Sequence, residues 1–100
     1  MNNKNDPLVS VCVISYNQEQ FIKQAIDGIL AQKTDFLFEL VISDDASTDG
    51  SQKIIKEYEL QYPDVIRNIS KEKNIGSQSN FYSTMQEAKG KYIALCEGDD

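Results

Sequence analysis

Short apolar runs alternate along this chain with stretches whose apolar residues return every three or four positions. Residues 8–15 (LVSVCVIS) and 38–43 (FELVIS) are rich in β-branched side chains, bounded by polar breakers and too short for helices, so both predict buried strands. Between them Phe21, Ile22, Ala25, Ile26, Ile29 and Leu30 fall on one helical face, and Asn17 with Gln20 three residues later matches a capping box at its start. A second helix is expected from near Asp49, burying Ile54, Ile55 and Tyr58 and stopping before Pro63, whose ring and missing N–H end a helix. Residues 65–69 (VIRNI) predict a weaker strand. A third helix follows NIGSQSN (74–80), with Phe81, Met85 and Ala88 as its buried stripe and Gly90 as its end. KYIALCE (91–97) predicts the last strand. Strands alternating with helices imply an α/β domain, a Rossmann-like open parallel sheet of about four strands with three helices and right-handed crossovers. Residues 1–6 read as a disordered tail and residues 7–100 as one domain, without repeats or low-complexity tracts.

Composition narrows the partners. A chain of 100 residues, 40% hydrophobic, can bury one modest core. Its net charge of −6 argues against a nucleic-acid backbone or an anionic membrane surface as main partner, since both recruit Lys and Arg. A phosphorylated ligand stays compatible if a divalent cation lies between. With no histidine, the two cysteines, Cys12 and Cys96, have no zinc-type spacing; each sits in an apolar run and reads as a buried reduced thiol, which fits a cytoplasmic compartment. No apolar stretch approaches the roughly 20 residues of a membrane span, and nothing resembles a signal peptide. Peripheral attachment at the inner face of a membrane through other segments stays compatible with this.

The polar residues acquire meaning from their place on that sheet. In open parallel sheets ligands collect at the carboxyl ends of the strands, near the point where strand order reverses. SYN (15–17), DDAS (44–47) and EGDD (97–100) all fall at such ends, from three strands. Taken singly, Asn17 and Asp49 read as helix caps, Ser47 and Thr48 as turn residues and Tyr16 as a packed aromatic. Taken together they read as one cleft, because carboxylates clustered on one edge repel unless a cation or hydrogen-bond donors offset them. The first strand-to-helix turn, SYNQEQ, has neither the G-x-G-x-x-G nor the P-loop pattern. Asp99 and Asp100 offer hard oxygen ligands for Mg2+ or Mn2+, which can bridge to a diphosphate. Asp45 or Asp44 can accept a hydrogen bond from a base edge, and Tyr16 offers a ring for stacking. Uracil presents such a donor at N3, where cytosine has an acceptor.

The order V-S-V-x-x-x-S-Y-N, E-L-V-I-S-D-D-x-S-x-D, K-x-N-x-G-x-x-x-N and A-x-G-K-Y-I-A-L-x-E-G-D-D resembles the amino-terminal half of a family 2 glycosyltransferase of the GT-A fold, over roughly residues 7 to 100. The resemblance implies the nucleotide-sugar-binding half of such a domain, with a UDP-sugar as donor and sheet order 3-2-1-4. It places Ser15 and Tyr16 around the base, with Asn17 also among the nucleotide-binding residues, Asp45 on the uracil, and Asp44 and Ser47 in shaping the loop. Asn74, Gly76 and Asn80 fall beside the donor, with Lys71 or Lys73 near phosphate. Asp99 and Asp100 match the D-x-D-type element, Asp100 as direct ligand of Mn2+ or Mg2+ and Asp99 nearer the ribose or sugar. The reaction implied is inverting transfer to an acceptor hydroxyl, saccharide or lipid-linked, in a setting such as bacterial surface polysaccharide synthesis.

In the family the catalytic base and acceptor site follow the metal motif. The expectation is therefore a fragment of a longer enzyme, inactive alone, whose last strand lies at an open edge and invites self-association. Two alternatives stay open: a nucleotidyltransferase with a related sheet, and a phospho-accepting receiver-like module. The receiver would want its acidic pair after the first strand, where this chain has SYN.

Overall fold

The computed structural model describes residues 7–32 and 36–97. Seven elements alternate along the chain: β1 (Val9–Ser15), α1 (Glu19–Leu30), β2 (Phe38–Asp44), α2 (Ser51–Gln61), β3 (Ile66–Asn68), α3 (Ser77–Glu87) and β4 (Tyr92–Glu97). The strands form one parallel sheet in the order β3-β2-β1-β4, as expected. The chain winds outward from β1 to β3, then crosses back through α3 to the far side of β1. That reversal beside β1 is where an open sheet splays its connections apart and leaves a crevice.

Alternation along β2 decides what each face carries. Leu40 and Ile42 join Val13, Ile22, Ile26, Ile55 and Ile66 in a core under α1 and α2, each at most 2% exposed. Burying an isoleucine of this kind contributes about 1.5–3 kcal/mol. The opposite face of β2 presents Glu39 and Ser43, and α3 covers it. Here the structure departs from the pattern, because α3 buries Asn80 and Thr84 while Phe81, Met85 and Ala88 are only half-buried. The reason is the polar lining of that sheet face. Ser43 donates to Asn80 Oδ1 at 2.5 Å, and Asn80 Nδ2 returns a bond to the Ser43 carbonyl at 2.9 Å.

Two other local expectations fail for identifiable reasons. Asn17 and Gln20 form no capping box; α1 has Gln18 at its cap position and no side-chain cap from that residue. The starts of α1 and α2 cap each other instead. Asp49 accepts the Glu19 N–H at 3.2 Å and the Ser51 N–H at 2.9 Å, while Glu19 accepts the Gly50 N–H at 2.6 Å. Gly90 does not end α3, which stops at Glu87 with Ala88 already extended. Gly90 is needed for close approach: a Cβ there would lie 2.6 Å from the Ser10 backbone nitrogen, and its own N–H donates to Ser10 Oγ at 2.7 Å.

At the amino-terminal end of the sheet buried Glu39 accepts Ser10 Oγ at 2.6 Å and the Lys89 N–H at 2.7 Å, with Arg67 Nε 3.5 Å away. Burial, then the Glu39 charge, pushes the nearby Cys12 thiol up from its ordinary pKa. Cys12 is buried as expected, Cys96 is only half-buried, and neither is in a disulfide. Strand β4 pairs with β1 alone and forms the sheet edge, with Tyr92, Ile93 and Leu95 between 45% and 57% exposed. Among the described residues no helix is long and apolar enough to cross a membrane.

Candidate nucleotide site

Three loops meet above the carboxyl ends of β1 and β2. The first leaves β1 at Ser15, which is buried and donates its hydroxyl to Asp44 Oδ1 at 2.8 Å. Tyr16 then turns outward, 48% exposed, and Asn17 takes a left-handed φ of 50°, a conformation asparagine tolerates better than most residues. That twist aims Asn17 at the second loop: its N–H donates to Ser47 Oγ at 2.7 Å, and its side-chain oxygen accepts the Thr48 N–H at 2.8 Å.

The two aspartates of the second loop have different duties. Asp44 is fully buried and receives Ser15 Oγ, Ser47 Oγ, the Ser47 N–H and Gln52 Nε2, all within 3.1 Å. Four donors saturate a carboxylate, so Asp44 is an internal tie between loops. Asp45, 3% exposed, reaches the third loop, accepting the Ile75 N–H at 2.8 Å on one oxygen and the Gly76 N–H at 2.9 Å on the other. Asn74 donates to the Asp45 carbonyl at 3.2 Å. Each Asp45 oxygen thus keeps one acceptor position. Gly76 sits at φ +90°, ψ 153°, a region closed to residues with a Cβ, and this turn sets the first residue of α3 over the cleft.

Between these loops lies a cavity of about 350 Å3 lined by Ile14, Ser15, Tyr16, Gln18, Asp45, Asn74, Gly76, Ser77 and Asn80. Six of the residues singled out in the sequence, Ser15, Tyr16, Asp45, Asn74, Gly76 and Asn80, meet here. Asp44 and Ser47 stand behind the wall. Asn17 turns into a neighbouring shallow concavity with Gln18, Glu19, Phe21 and Asp49. Lys71 donates its ammonium to the Ile69 carbonyl at 3.2 Å, and neither it nor Lys73 lines the cavity. Asp99 and Asp100 lie outside the described residues. Gln18 and Ser77 were missed. Gln18 looks in sequence like an ordinary helix-start residue, and only the Gly76 turn brings Ser77 to the cleft.

Chemically the cavity offers one carboxylate with spare acceptor positions, an exposed aromatic ring and neutral donors, a set suited to a planar ring with an N–H edge.

The model of glycosyl transferase family 2 matches residues 10–100. An uncharacterised protein of Mycobacterium tuberculosis is 50% identical over 92 residues, which are 92% of this chain and 27% of that protein. Among solved structures, the mannosyltransferase PcManGT of Pyrobaculum calidifontis, in complex with GDP-Man and Mn2+, superposes with a TM-score of 0.81 at 26% identity, covering 94% of this chain and 28% of that one. S. aureus TarS 1-349 in complex with UDP-GlcNAc gives 0.77 at 27% identity, with coverages of 91% and 26%. The chain therefore spans about a quarter of the length of the proteins it matches.

Proposed function

We propose that this chain, which belongs to glycosyl transferase family 2, binds the nucleotide of a sugar donor in the cleft between the β1–α1 turn and the start of α3. The observation that carries the reading is the Asp45 carboxylate: buried, held by two loop amides, and lining the cavity beside the exposed ring of Tyr16. A pyrimidine stacked on Tyr16 with its N3–H directed at Asp45 meets an acceptor-only group, so uracil is bound and cytosine, with an acceptor at N3, is repelled. Likeness to transferases solved with UDP-GlcNAc and with GDP-Man and Mn2+ supports a nucleotide-sugar donor and a divalent cation.

Asp100 with Asp99 is our assignment for the cation, Mn2+ or Mg2+, which when bound supplies positive charge to the departing diphosphate. Asp45 is the sole carboxylate among the cavity-lining residues, and its oxygens are engaged in holding the third loop. The chain spans about a quarter of the length of the proteins it matches, and our assignment for the base that deprotonates the acceptor hydroxyl is the remaining part of such an enzyme. On this reading the chain alone binds donor nucleotide without completing inverting transfer, acts in the cytoplasm or at the inner face of a membrane, and associates with itself through β4. Calorimetric titration with UDP in the presence of Mn2+ tests the reading. Saturable 1:1 binding, with CDP weaker by about tenfold or more, supports it; equal affinity for CDP removes the base-edge contact with Asp45.

A further inference from the structure

An N–H accepted by Asp45 does not by itself distinguish uracil from guanine, since guanine carries an N–H at N1. What differs is the flank. Uracil has a carbonyl oxygen on both sides of N3–H, whereas guanine has a carbonyl on one side of N1–H and an amino group on the other. The discriminating groups are therefore hydrogen-bond donors on either side of Asp45.

Most polar side chains of the cavity are already committed. Ser15 donates to Asp44, the Asn80 amide is exchanged with Ser43, and Asn74 is divided between the Asp45 carbonyl and the Gly76 N–H. Besides Tyr16, whose ring the proposal above gives to stacking, two lining residues stand apart. The hydroxyl of Ser77, first residue of α3, makes no hydrogen bond among the described residues. The Gln18 side chain has one weak bond, its oxygen accepting the Tyr16 N–H at 3.4 Å, and its amide nitrogen has no partner among the described residues. The two come from different elements, Gln18 from the start of α1 and Ser77 from the start of α3, and share the cavity with Asp45, which follows β2.

We infer that Ser77 and Gln18 are the specificity residues of this cleft, donating to the two carbonyl oxygens that flank N3–H and thereby selecting a uridine over a guanosine nucleotide. The inference rests on the nucleotide-binding reading above and adds to it the selection of the base. Neither side chain supports the fold: Ser77 has no internal partner, and Gln18 spends its side chain on one 3.4 Å contact while its backbone holds the cap. Truncating them removes donors without disturbing the loops.

The test is calorimetric titration of UDP and of GDP, each with Mn2+, into the unsubstituted chain, Ser77→Ala, Gln18→Ala and the double variant, with circular dichroism as a check on folding. Each single substitution is expected to weaken UDP by about three- to tenfold; the one that removes the donor on the guanine O6 side weakens GDP as well, whereas the one that removes the donor facing the guanine amino group leaves GDP unmoved or tighter, so that the UDP:GDP preference falls in that variant and in the double variant. A merely structural role would weaken both nucleotides together in both single variants, and that result overturns the inference. UDP affinity unchanged in both single variants overturns it while leaving the nucleotide site in place. Absence of UDP binding to the unsubstituted chain overturns both readings.

Discussion

Adjacent aspartates at the end of β2 divide the work of the cleft: Asp44 ties loops together, and Asp45 faces the cavity. Asp44→Ala would strand the hydroxyls of Ser15 and Ser47 and leave the Gln52 amide with the Lys71 carbonyl alone. It should destabilise the fold by about 1.5–3 kcal/mol, read as a lower midpoint in denaturant unfolding. Asp45→Ala should instead weaken UDP by about 1–3 kcal/mol. It should also raise hydrogen exchange at the Ile75 and Gly76 amides that the carboxylate receives. Equal loss of stability in both variants with no change in UDP affinity would contradict this division. The doublet itself was legible in the sequence as an acidic break after an apolar strand. Which member faces ligand was not, because the answer depends on Ser15 and Ile75, each about 30 residues away, whose approach is a property of the tertiary fold.

At the scale of elements, strands and helices were legible from periodicity, and the errors concentrate where one element's face depends on another's. Helix α3 carries an apolar stripe, yet it packs on the sheet face that presents Ser43 and so turns Asn80 and Thr84 inward. Alternation in FELVIS held that information, since Glu39 and Ser43 share the face that Leu40 and Ile42 leave. Helix caps were misread because the partners are remote: Asp49 and Glu19 cap each other's helices across 30 residues. Burial works against ionising Asp49, but the hydrogen bonds from Ser51 and Glu19 outweigh it and hold its carboxyl below the ordinary value. A depressed folded-state pKa contributes stability that is present above the unfolded value and is lost as pH falls through the folded one. Asp49→Ala should therefore lower the thermal midpoint at neutral pH, and its deficit should shrink as the solution is acidified below the ordinary carboxylate range. A deficit that stays constant with pH would remove the charge from the argument. Gly90→Ala, which drives a Cβ into the Ser10 backbone, should also be destabilising, whereas Gly28→Ala, with open space around it, should not be.

For the whole molecule, strand order decides both where the cleft opens and which edge is exposed. β1 lies inside the sheet, so its SYN turn and the DDAS loop of β2 are braced from both sides, while β4 has no further strand on its outer side among the described residues and leaves Ile93 and Leu95 exposed. That strand, Tyr92–Glu97, has no proline and no charge among its first five residues, the devices that usually blunt an edge. The chain should self-associate at about 100 μM in light scattering, and Ile93→Lys should return it to a monomer with unchanged circular dichroism. A clean monomer at that concentration would contradict the edge argument and leave the cleft untouched.

The central claim is that the cavity between the β1–α1 turn and the start of α3 holds a uridine nucleotide. Amide chemical-shift mapping of the 15N-labelled chain during a UDP titration tests it most directly. Saturable shifts should gather at Tyr16, Gln18, Asp45 and the run from Asn74 to Asn80, with β3 and the carboxyl end of α1 undisturbed. No saturable shift at those amides, or shifts centred on another surface, would contradict it.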